Sequence, residues 1–127
     1  MTEAPKLIKW ILIAGGIFSA LAVIIGAFGA HALKARLDVN AMGWIETGVT
    51  YQSTHALALI ACGFFPAKKA TSRTALLFIA GIVFFSGSLY LMALTGFTKL
   101  GIVTPIGGVL LICAWVSFCW AVWSDRS

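Results

Sequence analysis

The chain has 127 residues, of which 61% are hydrophobic and only 10% are charged. Soluble domains carry about 25% charged residues, so the composition argues against a soluble protein and predicts one domain covered by lipid. The net charge of +5 comes from nine Lys and Arg residues spread thinly along the chain, and no run of them indicates a nucleic-acid-binding face.

The three cysteines, Cys62, Cys113 and Cys119, all lie inside apolar runs. An odd number cannot pair fully within one chain, and no Cys-x-x-Cys spacing suggests a zinc or redox site. We therefore expect small hydrophobic side chains here, and we predict neither a metal nor a cofactor.

Residues 10–30 form the first predicted span, because about 20 apolar residues cross the hydrocarbon core of a bilayer. The alternative is a cleaved signal peptide, with Ala30 and Ala32 forming an Ala-x-Ala site. The apolar run is longer than the usual signal core of about 7–15 residues, so we expect the segment to be retained.

Residues 31–47 are predicted to be a polar outer loop. They could instead form an interfacial amphipathic helix, with Trp44 at headgroup level. His31, Trp44 and Glu46 are the candidate residues of this outer interface.

Three further apolar stretches predict the remaining spans, at about residues 48–65, 74–95 and 102–123. Pro66 ends the first of them, although its helix could begin a turn or more earlier. Pro105 lies in the first turns of the last one, where a missing backbone donor costs least. Short connections make neighbouring helices antiparallel, so we predict an all-α, up-down four-helix membrane bundle.

Positive charge predicts the orientation. Six basic residues fall on one side and three on the other, so the positive-inside rule places both termini in the cytoplasm. The short loops suit a bacterial inner membrane. The six are Lys6, Lys9, Lys68, Lys69, Arg73 and Arg126, and the three are Lys34, Arg36 and Lys99.

Small residues recur at positions that favour close helix packing in lipid. Two rows at four-residue spacing lie in the first span, and a Gly-Gly pair lies in the fourth. These candidate packing residues are Gly15 and Ser19, then Ala22, Gly26 and Ala30, and finally Gly107 and Gly108.

A candidate polar pocket centres on His55, about 10 Å inside the outer end of the second span. Tyr51 and Gln52 lie near the same helix face, and Ser86 and Tyr90 come from the third span. Such groups within a bilayer suggest function, for example a proton relay or a ligand contact. The alternative, which we favour, is a neutral histidine that holds the helices in register. No clustering typical of zinc, di-iron or nucleophilic chemistry occurs, so we predict that the protein is not an enzyme.

Four blocks of the sequence resemble a small membrane protein family that includes the eukaryotic transmembrane protein 256 and bacterial YgdD-like proteins. The blocks are GAFGAHAL (26–33), YQSTHALAL (51–59), FSGSLYLMALTG (85–96) and TPIGGVLLICAW (104–115). The resemblance implies four spans, no established biochemical activity and no catalytic residue. It draws attention to His31, Tyr51, Gln52, His55, Ser86, Tyr90, Thr104, Pro105, Gly107 and Gly108.

The leading functional hypothesis is a non-enzymatic accessory protein that packs with itself or with a larger membrane complex. A small transporter or channel using an outer-leaflet pocket around His55 is the alternative. Small multidrug exporters need a carboxylate deep in the membrane, however, and Glu3, Asp38, Glu46 and Asp125 all lie outside mid-span positions. A membrane enzyme or a lipid-binding protein using the outer polar pocket is a third hypothesis.

Overall fold

The computed structural model describes residues 7–124, which form four helices and no strand. Helix α1 (Lys9–Leu33) is α-helical over Lys9–Val23, widens into a π-helix at Ile24–Gly29 and ends with one α-helical turn. Helices α2 (Val39–Cys62) and α3 (Lys69–Thr95) follow. Helix α4 (Val103–Trp123) is preceded by a 3-10 turn at Thr98–Ile102. Lys6 and Arg126, which contribute to the predicted orientation, lie outside the described residues.

Local sequence signals explain where the helices begin and end. Asp38 caps α2, because its Oδ1 accepts a hydrogen bond from the backbone N–H of Ala41 at 2.8 Å. Gly96 ends α3 in the left-handed conformation, with φ of 73°, which a glycine adopts without steric cost. Pro105 lies in the first turn of α4, as expected.

The polar stretch at residues 31–47 is mostly helix, so the predicted outer loop is too long. Helix α1 continues to Leu33 and α2 begins at Val39, which leaves only residues 34–38 outside the helices. The reason is the Asp38 cap, which starts α2 nine residues before the predicted second span.

Three of the helical segments in residues 7–124 are long and apolar enough to cross a membrane: Lys9–Leu33, Lys69–Thr95 and Thr98–Trp123. Helix α2 is not among them, because its first half is rich in polar residues. Its buried polar side chains, Gln52 and His55, face neighbouring helices rather than the outside.

Helices that are adjacent in sequence pack antiparallel. Along α1, Leu12 approaches Gly63 and Gly26 approaches Val49, so residue numbers rise in α1 as they fall in α2. The same reversal joins α2 to α3, where His55 lies against Phe78 and Gly48 against Tyr90. It also joins α3 to α4, where Thr74 meets Ser117 and Phe85 meets Gly107.

The main hydrophobic core joins all four helices. Ile11, Leu59, Phe78 and Ala114 contribute to it one from each helix, and none of them exposes measurable surface. Only 17% of the residues in the apolar windows of α1 and of the Thr98–Trp123 segment are buried, against 44% in that of α3. Helices α1 and α4 are therefore the outer two of the four helices in the chain.

The antiparallel packing separates the molecule into two ends. We call one the basic end: it contains the start of α1, the connection between α2 and α3, and the end of α4. The opposite end, the polar end, brings the connection around Arg36 close to Thr98. Among the described basic residues, four belong to the basic end and three to the polar end. They are Lys9, Lys68, Lys69 and Arg73, and Lys34, Arg36 and Lys99, respectively.

Candidate functional site

Gln52 joins three helices through its side-chain amide. Its Nε2 donates to the backbone carbonyl of Phe18 in α1 at 2.8 Å, and its Oε1 accepts from the Tyr90 hydroxyl in α3 at 2.7 Å. The residue is 3% exposed, so water does not compete for these bonds. Because an amide has a donor end and an acceptor end, this arrangement determines which way the amide points.

His55 joins α2 to α4 and is held in one tautomer. Its Nδ1 lies 2.6 Å from the carbonyl oxygen of Tyr51, which can only accept, so Nδ1 carries the proton. Its Nε2 lies 3.1 Å from the indole Nε1 of Trp115, which can only donate. Both bonds form together only when the imidazole is neutral, because an imidazolium has no acceptor for Trp115.

Ser86 and Tyr90 complete the contact between α3 and α2. The Ser86 hydroxyl donates to the Gly48 carbonyl at 2.7 Å, and the Tyr90 ring packs on Gly48. A Cβ atom at position 48 would lie 2.6 Å from that ring, so the glycine makes room for it. We call Gln52, His55, Ser86, Tyr90 and Trp115 the polar cluster.

Tyr51 lies at the edge of the polar cluster rather than inside it. Its side chain is 43% exposed, and its ring centroid lies 6.0 Å from that of His55 and 4.4 Å from that of Phe85. Its contribution to His55 comes from the backbone carbonyl. The Tyr90 hydroxyl donates to the Gln52 side chain, not to His55.

Two members of this arrangement were missed by sequence reasoning. Trp115 lies in the middle of an apolar run of the sequence, and an indole N–H in an apolar environment needs an acceptor, which was the available signal. Gly48 could not be recognised as the position against which Tyr90 packs, because that requires knowing the register of α2 against α3.

The candidate outer-interface residues occupy two different places. His31 and Glu46, both exposed, line an open groove of about 750 Å³ between the end of α1 and the start of α2. We call it the outer groove. Trp44 is half-buried and packs against a small second core that contains Ile45 and Ala93. Within residues 7–124, no group of three or more His, Cys, Asp or Glu residues is arranged to hold a metal ion.

The small residues predicted to mediate helix packing mostly face other helices of the same chain. A Cβ at Gly15 would lie 2.6 Å from Ile60, one at Gly26 would lie 2.9 Å from Val49, and one at Gly107 would lie 2.2 Å from the Phe85 nitrogen. Gly108 is less constrained, since its nearest neighbour would be 3.8 Å away. Ala22 is buried, Ala30 and Ser19 are half-buried, and the Ser19 hydroxyl oxygen has no hydrogen-bond partner.

The polar cluster is built to connect helices. Each of its side chains bonds a backbone or side-chain group of the same chain. Ser88 with Thr104 and Thr74 with Ser117 form further hydroxyl pairs between α3 and α4. Hydrogen bonds of this kind between helices stabilise membrane bundles by about 0.6 kcal/mol each on average.

Comparison with known proteins identifies the family. Residues 25–108 match the model of the family described as "Protein of unknown function (DUF423)". A UPF0382 membrane protein of Staphylococcus aureus is 41% identical over 110 residues, which is 85% of this chain and 90% of that protein. The UPF0382 membrane protein YwdK of Bacillus subtilis is 40% identical over 112 residues, 85% of this chain and 91% of that protein.

The UPF0382 inner membrane protein YgdD of Escherichia coli is 36% identical over 110 residues, which is 84% of each chain. No solved structure matches. The match to the family model includes all of α2 and α3, and with them every member of the polar cluster except Trp115. The chain therefore belongs to the DUF423 family of unknown function, and the relatives it matches are named membrane proteins.

Proposed function

We propose that this protein is a four-span, multi-pass protein of the bacterial inner membrane, with both termini in the cytoplasm. We further propose that its role is non-enzymatic and consists of packing with itself or with a larger membrane complex. The observation that carries the proposal is the polar cluster, whose hydrogen bonds join helices of the same chain. Its polar groups therefore hold the helices of one chain together.

The burial of α2 supports a fourth span. This helix packs between α1 and α3, which are both long and apolar enough to cross a membrane. Its polar side chains Gln52 and His55 are 3% and 6% exposed and have partners on neighbouring helices. A helix whose polar groups are satisfied in this way can lie in lipid at little cost.

The outer helices leave surface available for assembly. On α1, Gly16 and Ala20 are exposed on a different face from Gly15 and Gly26, which pack on α2. A Cβ at Gly16 would meet nothing within 4 Å. Small residues on an exposed helix face allow a second helix to approach closely, which favours association in lipid.

Nothing in the described structure favours the transporter alternative. Asp38 and Glu46, the two carboxylates within residues 7–124, lie in the cap and the second turn of α2. Neither belongs to the polar cluster. His55 uses one ring nitrogen as a donor and the other as an acceptor, so it has no free site for a transported proton in this arrangement.

The test is gentle purification of the tagged full-length protein, with oligomeric state and bound proteins measured by native mass spectrometry. We expect a defined homo-oligomer or a complex, which Gly16→Leu should weaken at least about tenfold through loss of close packing. Gly87→Leu is the matched control, since a Cβ there also meets nothing within 4 Å but lies on α3. Recovery of a monomer with no protein partner would contradict the proposal.

Gly26 and Gly107 are unsuitable for this test. Larger side chains there would collide with Val49 or with the Phe85 backbone of the same chain. A loss of assembly in variants at these two positions would therefore reflect damage to the fold of the chain.

A further inference from the structure

A groove of about 600 Å³ opens at the basic end, between the start of α1 and the start of α3. We call it the basic groove. Its size lies within the range of about 300–1,000 Å³ that is typical of small-molecule sites. Trp10 lines one wall, and Lys69, Ser72, Arg73, Leu76 and Leu77 are among the residues that line the other.

The groove changes from charged to apolar along α3. Lys69, Arg73 and Leu76 lie on one face of the helix, since residues three and four positions apart are neighbours. Leu76 is seven residues beyond Lys69, which places it about 10 Å further along the helix axis at 1.5 Å per residue. Cationic and hydroxyl groups therefore lie in the first turns of α3. The apolar side chains of the groove follow further along the helix, where an acyl chain could contact them.

Lys69 and Arg73 have no acidic residue beside them among the described residues. Asp38 and Glu46, the two acidic residues in that part of the chain, belong to the start of α2, which lies toward the polar end. The first turn of α3 contains no acidic residue. Lys69 and Arg73 add positive charge to the positive end of a helix dipole, a combination that favours the binding of an anion.

We propose that the basic groove binds one anionic glycerophospholipid, with its phosphate near Lys69, Ser72 and Arg73. One acyl chain lies along Leu76 and Leu77 on one side and Trp10 on the other. Trp10 is 44% exposed and sits at the end of its helix, where indole rings favour the membrane interface. This site is separate from the polar cluster and from the outer groove, and it does not depend on the role proposed above.

The test measures lipid binding to the full-length protein by native mass spectrometry. The probes are phosphatidylglycerol, phosphatidylethanolamine and phosphatidylcholine with identical acyl chains. We expect one copy of phosphatidylglycerol to bind at least about tenfold more tightly than phosphatidylcholine, because each basic residue near an anionic lipid contributes about fivefold. The double variant Lys69→Gln/Arg73→Gln should lose most of that preference.

The matched control is Lys34→Gln/Arg36→Gln, which removes the same charge from exposed positions at the polar end. It should keep the preference for phosphatidylglycerol. Equal loss in both double variants would show a general effect of net charge and overturn the proposal. Displacement of the lipid by an equal concentration of inorganic phosphate would also overturn it, since the groove would then bind a free anion.

A second measurement locates the bound lipid. Phosphatidylglycerol with brominated acyl chains should quench the fluorescence contributed by Trp10, taken as the difference between the parent protein and Trp10→Phe. If lipid binding left the Trp10 share of the fluorescence unchanged, the lipid would be bound elsewhere and the proposal would be overturned. This readout uses the parent protein, so it does not depend on the folding of the charge variants.

Discussion

At the scale of single residues, Gln52 connects more of the molecule than any neighbouring side chain in α2. It bonds α1 through the Phe18 carbonyl and α3 through the Tyr90 hydroxyl, while its own backbone belongs to α2. His55 has the corresponding role about a turn further along the helix, through Trp115. The histidine that suggests chemistry in the sequence is therefore, in the structure, a hydrogen-bonded contact between helices.

We expect Gln52→Leu to lower the free energy of unfolding by about 1–3 kcal/mol. The substitution removes two interhelical hydrogen bonds worth about 0.6 kcal/mol each on average and up to about 1.7, and it leaves the Tyr90 hydroxyl without its acceptor. The measurement is unfolding of the purified protein by sodium dodecyl sulfate titration, monitored by circular dichroism.

Thr54→Leu is the control for that experiment, because Thr54 is exposed on the same helix and should change stability by no more than about 0.5 kcal/mol. A double-mutant cycle with Tyr90→Phe should show coupling between positions 52 and 90. Independent, additive effects of the two substitutions would contradict the hydrogen bond.

At the scale of the helices, close backbone approach decides how α4 meets α3. A Cβ at position 107 would lie 2.2 Å from the Phe85 nitrogen and 2.6 Å from its Cα, which are backbone atoms that cannot move aside. The adjacent Gly108 would place its Cβ 3.8 Å from the flexible end of the Phe85 side chain. Two neighbouring glycines in one motif therefore have different roles.

Gly107→Ala should destabilise the protein by about 1–3 kcal/mol, because the helices must separate to admit one methyl group. Gly108→Ala should be neutral or stabilising by up to about 1 kcal/mol, because alanine favours a helix over glycine. Both are measured as midpoints of detergent-induced unfolding. Equal effects at the two positions would mean that α4 packs on α3 in another register.

At the scale of the whole molecule, α2 determines the topology. Three segments within residues 7–124 qualify as spans by length and composition, and α2 does not. An even number of crossings places both termini on one side, whereas an odd number places them on opposite sides. The burial of Gln52 and His55 between helices is the reason that we propose α2 as the fourth span.

We therefore expect reporters fused to Met1 and to Ser127 to give the same, cytoplasmic result. A C-terminal alkaline phosphatase fusion should be inactive and a green fluorescent protein fusion should be fluorescent. A reporter inserted within residues 34–38 should give the opposite result and serves as the control. Termini on opposite sides would show that α2 does not cross the membrane.

The amino-acid sequence was enough to establish the class of protein, because composition and the length of apolar runs report directly on lipid as the surrounding medium. It predicted three of the helices close to their bounds in the structure. It also singled out Gly15, Gly26 and Gly107 as packing residues, and Gln52, His55, Ser86 and Tyr90 as polar residues near one another. Each of these follows from patterns within a single helix or from short connections between helices.

The packing of the helices in three dimensions selects which polar groups bond each other. The partners of Gln52 and His55, the Phe18 carbonyl and the Trp115 indole, lie 34 and 60 residues away along the chain. Their identity depends on helix register, which is determined by the close contacts at glycines such as Gly48 and Gly107. No local pattern encodes that register, because it arises from the packing of whole helix faces. The same packing brings Trp10 and Arg73 to one groove at the basic end.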